Sequence, residues 1–298
     1  MKHSAVPRSL TGYALVLTAA TFWGLSAVAG KMWQRTSTVD AVLLSQTRAS
    51  FAWLMVLAYL LIYNRSFLRV QMRHLPEFAM LGIIGVAGAN FFLYFAISRM
   101  DTALADLIQF TAPILVALYM VARRLESLHR NKVVALFLTT LGLAFTLRIF
   151  EGNHTLSLLG ILSAATSAIC YAYLIAAGKR LSHRYPPAAY LHYSLLGATL
   201  FWLCLRPPWH GLFATIPPVD WLRLILFSVT SALLPYVCFF QGLKRISATT
   251  AGIVSTWEPV VITIGAWATL GEAMAPTQLI GIALVLAGIV IAQARSAR

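Results

Sequence analysis

The stretch ATTAGIVSTWEPVVITIGAWATL, residues 248–270, decides the fold. About 20 apolar residues cross the hydrocarbon of a bilayer as a helix, and this run is long and apolar enough to do so. Trp257, Glu258 and Pro259 nevertheless stand near its middle. A carboxylate at that depth is expensive unless the bundle supplies a partner or water, so Glu258 is a functional candidate by position alone. Pro259 removes a backbone donor at the same depth, which predicts a kink beside a polar interior. The stretch also recurs. Residues 95–115, FAISRMDTALADLIQFTAPIL, align at an offset of 146 with residues 241–261, QGLKRISATTAGIVSTWEPVV, matching Arg99 to Arg245, Ala105 to Ala251 and Pro113 to Pro259.

Outward from this run, the rest of the chain has the same character. Its 298 residues are 59% apolar and 11% charged, with a mean hydropathy of +0.77. A soluble domain carries about a quarter charged residues, so the composition places the chain in a bilayer. Apolar periodicity and length predict ten spans, at 11–33, 39–63, 76–98, 102–122, 132–149, 157–178, 187–205, 219–242, 248–270 and 276–294. The connections between them are short and leave no room for a soluble domain. Cys170, Cys204 and Cys238 each sit in an apolar run with no CxxC or Cys/His cluster, which argues for small apolar fillers and against a metal or disulfide.

The net charge of +14 is a topology signal rather than a mark of nucleic acid. With the amino terminus inside, sixteen Lys and Arg fall on cytoplasmic segments and six on the other side, which predicts both termini in the cytoplasm. Lys2 and Arg8, an apolar run and Ala27-Val28-Ala29 imitate a signal peptide. Gly12, Gly30 and Lys31 recur at an offset of 148 as Gly160, Gly178 and Lys179, however, so retained architecture is expected instead of cleavage.

Five spans per half is an odd number, so the second half enters the membrane upside down. The expected fold is an all-α polytopic membrane protein of two inverted five-helix repeats, residues 1–150 and 151–298. Glu126 and Gly142 recur at offset 146 as Glu272 and Gly288, and Ala135 recurs as Gly281. Small residues seven apart on one helical face suit close helix packing.

These features resemble the EamA repeat of the drug/metabolite transporter superfamily: two five-span halves, AGK closing spans one and six, Pro113 and Pro259 in spans four and nine, and the Glu126 and Glu272 loops. The overall likeness within it is to bacterial aromatic amino acid exporters. The resemblance implies a basket-shaped bundle around a central cavity formed mainly by spans one, three, four, six, eight and nine. It also implies the cytoplasmic membrane and export of amino acids or related metabolites.

For the cavity wall the sequence offers Glu258, Trp257 and Ser255 in span nine, with Gly252, Ser255, Pro259 and Ile262 on one stripe. Span four offers the stripe Asp106, Gln109 and Pro113. Asn90 and Tyr94 share a face of span three, and Tyr236 follows Pro235 in span eight. Trp23 and Tyr171 are equivalent at offset 148, which suggests aromatic faces on symmetry-related sides. Pro113 and Pro259 are the expected hinges. Lys31 and Lys179 read as anchors near helix ends, Arg48 as a snorkelling residue and His192 as an interfacial one. The reading is a secondary exporter with a small-molecule substrate, no cofactor or metal, and an unspecified coupling ion. Its rivals are a broad exporter of drugs or cations and a polytopic membrane enzyme. The enzyme needs a nucleophile and base at one depth, and no HExxH, GxSxG or P-loop occurs.

Overall fold

The computed structural model describes residues 8–34, 41–151, 154–207 and 218–294. Lys2, and Arg35, Arg295 and Arg298 from the Lys and Arg tally, lie outside them. The described residues are helical, without strands, in the order α1 (Arg8–Gln34), α2 (Ala41–Tyr63), α3 (Met72–Ile97), α4 (Thr102–Ala122), α5 (Arg130–Thr146), α6 (Leu158–Ser182), α7 (Pro187–Leu205), α8 (Val219–Leu243), α9 (Ala248–Leu270) and α10 (Pro276–Gln293). Among the described residues, eight helices are long and apolar enough to cross a membrane; α2 and α5, the latter of 17 residues, fall outside that set. Leu61, Ile62, Phe137, Leu158 and Val290 face outward, as expected of a surface solvated by lipid.

Both prolines break their helices. In α4 the helix stops at Gln109 and resumes at Ala112, and in α9 it stops at Ser255 and resumes at Trp257. Proline lacks an N–H and its ring crowds the carbonyl four residues earlier, so each helix gives way about one turn ahead of Pro113 or Pro259. Hydroxyls reinforce the turn at each break: Thr111 donates to the Ile108 carbonyl at 2.7 Å and Thr256 to the Ile253 carbonyl at 2.6 Å. The two broken helices meet where Gly252 lies against Pro113, with room for a Cβ only at 3.2 Å. The helices before them are matched as well, for α3 carries a π-helical segment at Leu81–Gly88 and α8 one at Val229–Leu233.

Glycines bring backbones into contact. A Cβ on Gly82 of α3 would fall 2.2 Å from the Ser194 carbonyl of α7, and one on Gly281 of α10 would fall 2.5 Å from the Thr146 amide of α5. Gly142 and Gly288 are equally tight against the facing helix, so the small residues of α5 and α10 form their contact.

One end of the bundle is sealed. The Lys179 ammonium on α6 donates to the Leu243 carbonyl at 2.9 Å and the Ile246 carbonyl at 2.7 Å, two groups left over at the end of α8. Glu126, after α4, accepts the Ala248 amide at the start of α9 at 2.6 Å and pairs with Lys132 at 3.0 Å. Burial pushes the Glu126 carboxyl up, but Lys132, the Thr249 hydroxyl and the Ala248 amide more than offset it and hold it below its ordinary value. At the other end the equivalent residues Lys31 and Glu272 pair at 2.9 Å in the open, with side chains 53% and 47% exposed.

Candidate functional site

Between these ends lies a cavity of about 1010 Å³, running from Lys31, Asp101, Arg148 and Glu272 at its mouth down to Glu258, Tyr171 and Tyr236. Its size suits a metabolite-sized ligand. Seven of the residues expected on the wall are there: Glu258, Gln109, Asn90, Tyr94, Trp23, Tyr171 and Tyr236. The break in α9 exposes the Glu258 side, and the π-helical turns in α3 precede Asn90, whose amide donates to the Val86 carbonyl at 2.7 Å. Gln109 donates to the Ser167 hydroxyl at 2.8 Å, and Ser167 in turn to the Ala89 carbonyl at 2.6 Å, tying α4 and α3 to α6.

The aromatic residues form a packed lining. Trp23 meets Tyr236 edge-on at 5.3 Å, and Phe110 meets Tyr171 at 6.3 Å. Trp23 and Tyr171 are only 9% and 8% exposed, so they offer the cavity an edge rather than a whole face.

Two expected wall residues are elsewhere. Trp257 turns toward α1 and donates its indole N–H to the Thr21 hydroxyl at 3.1 Å. Ser255 is fully buried and donates to the Ala251 carbonyl at 2.9 Å. The break at Thr256 resets the helical phase, so a stripe drawn through it does not continue. His192 is not interfacial; it is buried between α2 and α7, with its ring 6.3 Å from Trp53. Lys179 is an anchor, but its hold is on the end of α8 and not on the membrane surface.

Sequence reasoning misplaced Arg48 as well. Instead of snorkelling outward it lines the cavity, and its Nη2 donates to the side-chain Oδ1 of Asn90 at 3.0 Å. A charged side chain inside an otherwise apolar span was itself the available signal. Asp106, on the span-four stripe, also lines the cavity. α2 therefore contributes wall alongside the helices named by the resemblance, as do the end of α5 and the start of α10 through Thr146 and Gln278. Among the described residues, no three His, Cys, Asp or Glu side chains are grouped as a metal site would require.

The EamA-like transporter family matches this chain at residues 10–148 and again at 158–293. The threonine/homoserine exporter RhtA of Escherichia coli (strain K12) is 25% identical over 209 residues, 68% of this chain and 66% of that protein. The chain thus aligns with just under two thirds of that exporter's length. The uncharacterized transporter YyaM of Bacillus subtilis (strain 168) is 26% identical over 243 residues, 80% of this chain and 79% of that one. A crystal structure of a protein 24% identical in sequence superposes with a TM-score of 0.77 over 96% of both chains, which shows a common fold.

Proposed function

The chain belongs to the EamA-like transporter family, and from that membership we propose that it is a secondary exporter of amino acids and related metabolites working by alternating access. In this reading ten crossings form two inverted five-helix halves, residues 1–150 and 151–298, with both termini in the cytoplasm. The family's match to each half separately supports the repeat. So do the paired breaks ahead of Pro113 and Pro259, and the excess of Lys and Arg on one side supports the orientation.

One observation carries the mechanism: a largely apolar cavity, with a few charged and amide groups on its wall, open at the Lys31 and Glu272 end and shut at the Lys179 and Glu126 end. An inverted repeat gives both ends the same parts, so exchanging their conformations would close the mouth and open the floor. The breaks in α4 and α9 are where such bending concentrates, which makes Pro113 and Pro259 hinge residues. The chain carries no nucleotide-binding motif, so unless another chain supplies energy the driving force is a gradient of substrate or of a coupling ion.

For selectivity, Trp23, Tyr94, Phe110 and Tyr171 favour apolar or aromatic side chains. The name of the Escherichia coli relative points instead to small polar ones, as printed for that protein. Uptake into proteoliposomes of a panel of aromatic, aliphatic and hydroxylated amino acids and organic cations, with and without a pH gradient, tests the reading. Transport of at least one amino acid is expected; transport of cations alone would replace it with a drug exporter, and transport of nothing would remove it.

A further inference from the structure

The cavity wall holds charges of both signs, and the chain keeps them apart. Arg48 lies seven residues inside the start of α2 at Ala41, and Asn90 seven residues before the end of α3 at Ile97, so both stand about 10 Å below the mouth-side ends of their helices. Asn90 is fixed by its own bond to the Val86 carbonyl, which aims its side-chain oxygen at the arginine. A guanidinium has five N–H donors in a planar fork that fits a carboxylate through two parallel bonds. In Arg48 one of the five is used, and among the described residues it forms no ion pair.

Glu258 and Asp106 line the same cavity, and neither carboxylate accepts a hydrogen bond from any described residue. Arg48, Asp106 and Glu258 face one cavity, and among the described residues no ion pair joins them. Holding a guanidinium and two carboxylates apart inside a membrane bundle is unfavourable unless water or a ligand completes them. Since the mouth is open to the aqueous face, water can do so until a solute displaces it.

We propose that Arg48 binds the carboxylate of a zwitterionic α-amino acid whose ammonium is received by Glu258 and Asp106. This deepens the exporter reading and rests on it. A positive and a negative group on one carbon match a wall with opposite poles, whereas a bare organic cation would leave Arg48 unmatched and repelled. The side chain of the solute then turns toward Trp23, Phe110 and Tyr171. If Arg48 served only to tie α2 to α3 through Asn90, a neutral hydrogen-bond donor would do as well, and this distinction is measurable.

The test uses the purified full-length chain and direct binding of L-threonine, L-phenylalanine, their methyl esters, which keep the ammonium, and their N-acetyl derivatives, which keep the carboxylate. The wild-type protein should bind at least one amino acid about 10- to 100-fold more tightly than its methyl ester, the range set by one charge-assisted carboxylate contact. Arg48→Gln should remove that preference by weakening the acid and leaving the ester within about threefold. Glu258→Gln should likewise remove the preference over the N-acetyl derivative. An Arg48→Gln protein that keeps the wild-type ratio of acid to ester overturns the proposal. Should that variant not be monodisperse, Arg48→Lys and the wild-type comparison decide: equal binding of acid and ester overturns the assignment while leaving the exporter reading in place. A wild-type protein that binds no amino acid overturns both.

Discussion

Replacing Lys179 with methionine should loosen the sealed end of the bundle. Methionine keeps the length and apolar stem of the side chain and removes the ammonium, which donates to the Leu243 and Ile246 carbonyls at 2.9 and 2.7 Å. A hydrogen bond to a charged group contributes about 1.5–3 kcal/mol, so the two bonds are worth at most about 3–6 kcal/mol. Part is recovered because no ammonium has to be desolvated, and water reaches the freed carbonyls once the end opens. A net loss of about 2–4 kcal/mol remains, a shift of about 30- to 1,000-fold in the balance between closed and open. Glu126, whose charge acts on Lys179 across the same seal, is left less balanced, which pushes in the same direction. The assay is labelling by a membrane-impermeant maleimide in a background without Cys170, Cys204 and Cys238. One reporter is Ala248→Cys, buried at the sealed end, and the other is Ala273→Cys, on the wall near the mouth. Lys179→Met should speed labelling of the first by at least about tenfold and leave the second unchanged or slower. Unchanged rates at Ala248→Cys in a monodisperse Lys179→Met protein would refute the idea that this lysine holds the end shut.

Glu126→Gln should weaken the same seal by about 1–3 kcal/mol by removing the charge that Lys132 and the Ala248 amide meet, read as faster labelling at Ala248→Cys. Because the Glu126 carboxyl is held below its ordinary value, its stabilisation is full above the ordinary carboxylate range and is lost as pH falls beneath it; a seal that weakens on raising the pH instead would contradict this. Gly281→Val forces a side chain into a space where even a Cβ lies 2.5 Å from the Thr146 amide. It should lower thermal stability by about 1–3 kcal/mol or more, whereas Gly30→Ala, whose nearest neighbour is 3.6 Å away, should be near neutral in the same melt. Pro113→Ala and Pro259→Ala should insert normally and slow transport by stiffening the breaks; wild-type turnover in both would remove the hinge role. Trp257→Phe should cost about 1 kcal/mol of stability through its lost bond to Thr21 and leave substrate affinity alone, while Trp23→Ala should lower affinity for aromatic substrates more than for small ones.

How much of this could be read from residues alone depended on the distance over which each feature acts. Helix limits follow from local apolarity, and the starts at Thr102, Pro187, Ala248 and Pro276 lie within a residue of those expected. The breaks follow from proline chemistry, and the close α5 and α10 contact follows from glycines on one face. Glu258 was identifiable because an acid in an apolar span is costly wherever its partner is. Trp257 and Ser255 were misassigned because a stripe assumes a constant 3.6-residue phase, and the turn at Thr256 resets it. Arg48 was misread because snorkelling is judged one helix at a time, while its direction is set by Asn90 on α3, 42 residues away. The Lys179 seal is likewise a contact between helices, visible in sequence only as a lysine that recurs.

The most direct measurement of the central claim is counterflow. Proteoliposomes holding the full-length chain are loaded with an unlabelled amino acid and diluted into a trace of the same compound labelled, with no ion gradient. L-threonine and L-phenylalanine serve in parallel. A carrier that alternates one site between two faces must draw label inward against its own gradient for a time, so a transient overshoot is predicted for at least one amino acid. It should be lost in Arg48→Gln. Label that enters only to equilibrium, or no entry for any amino acid tried, would contradict the account.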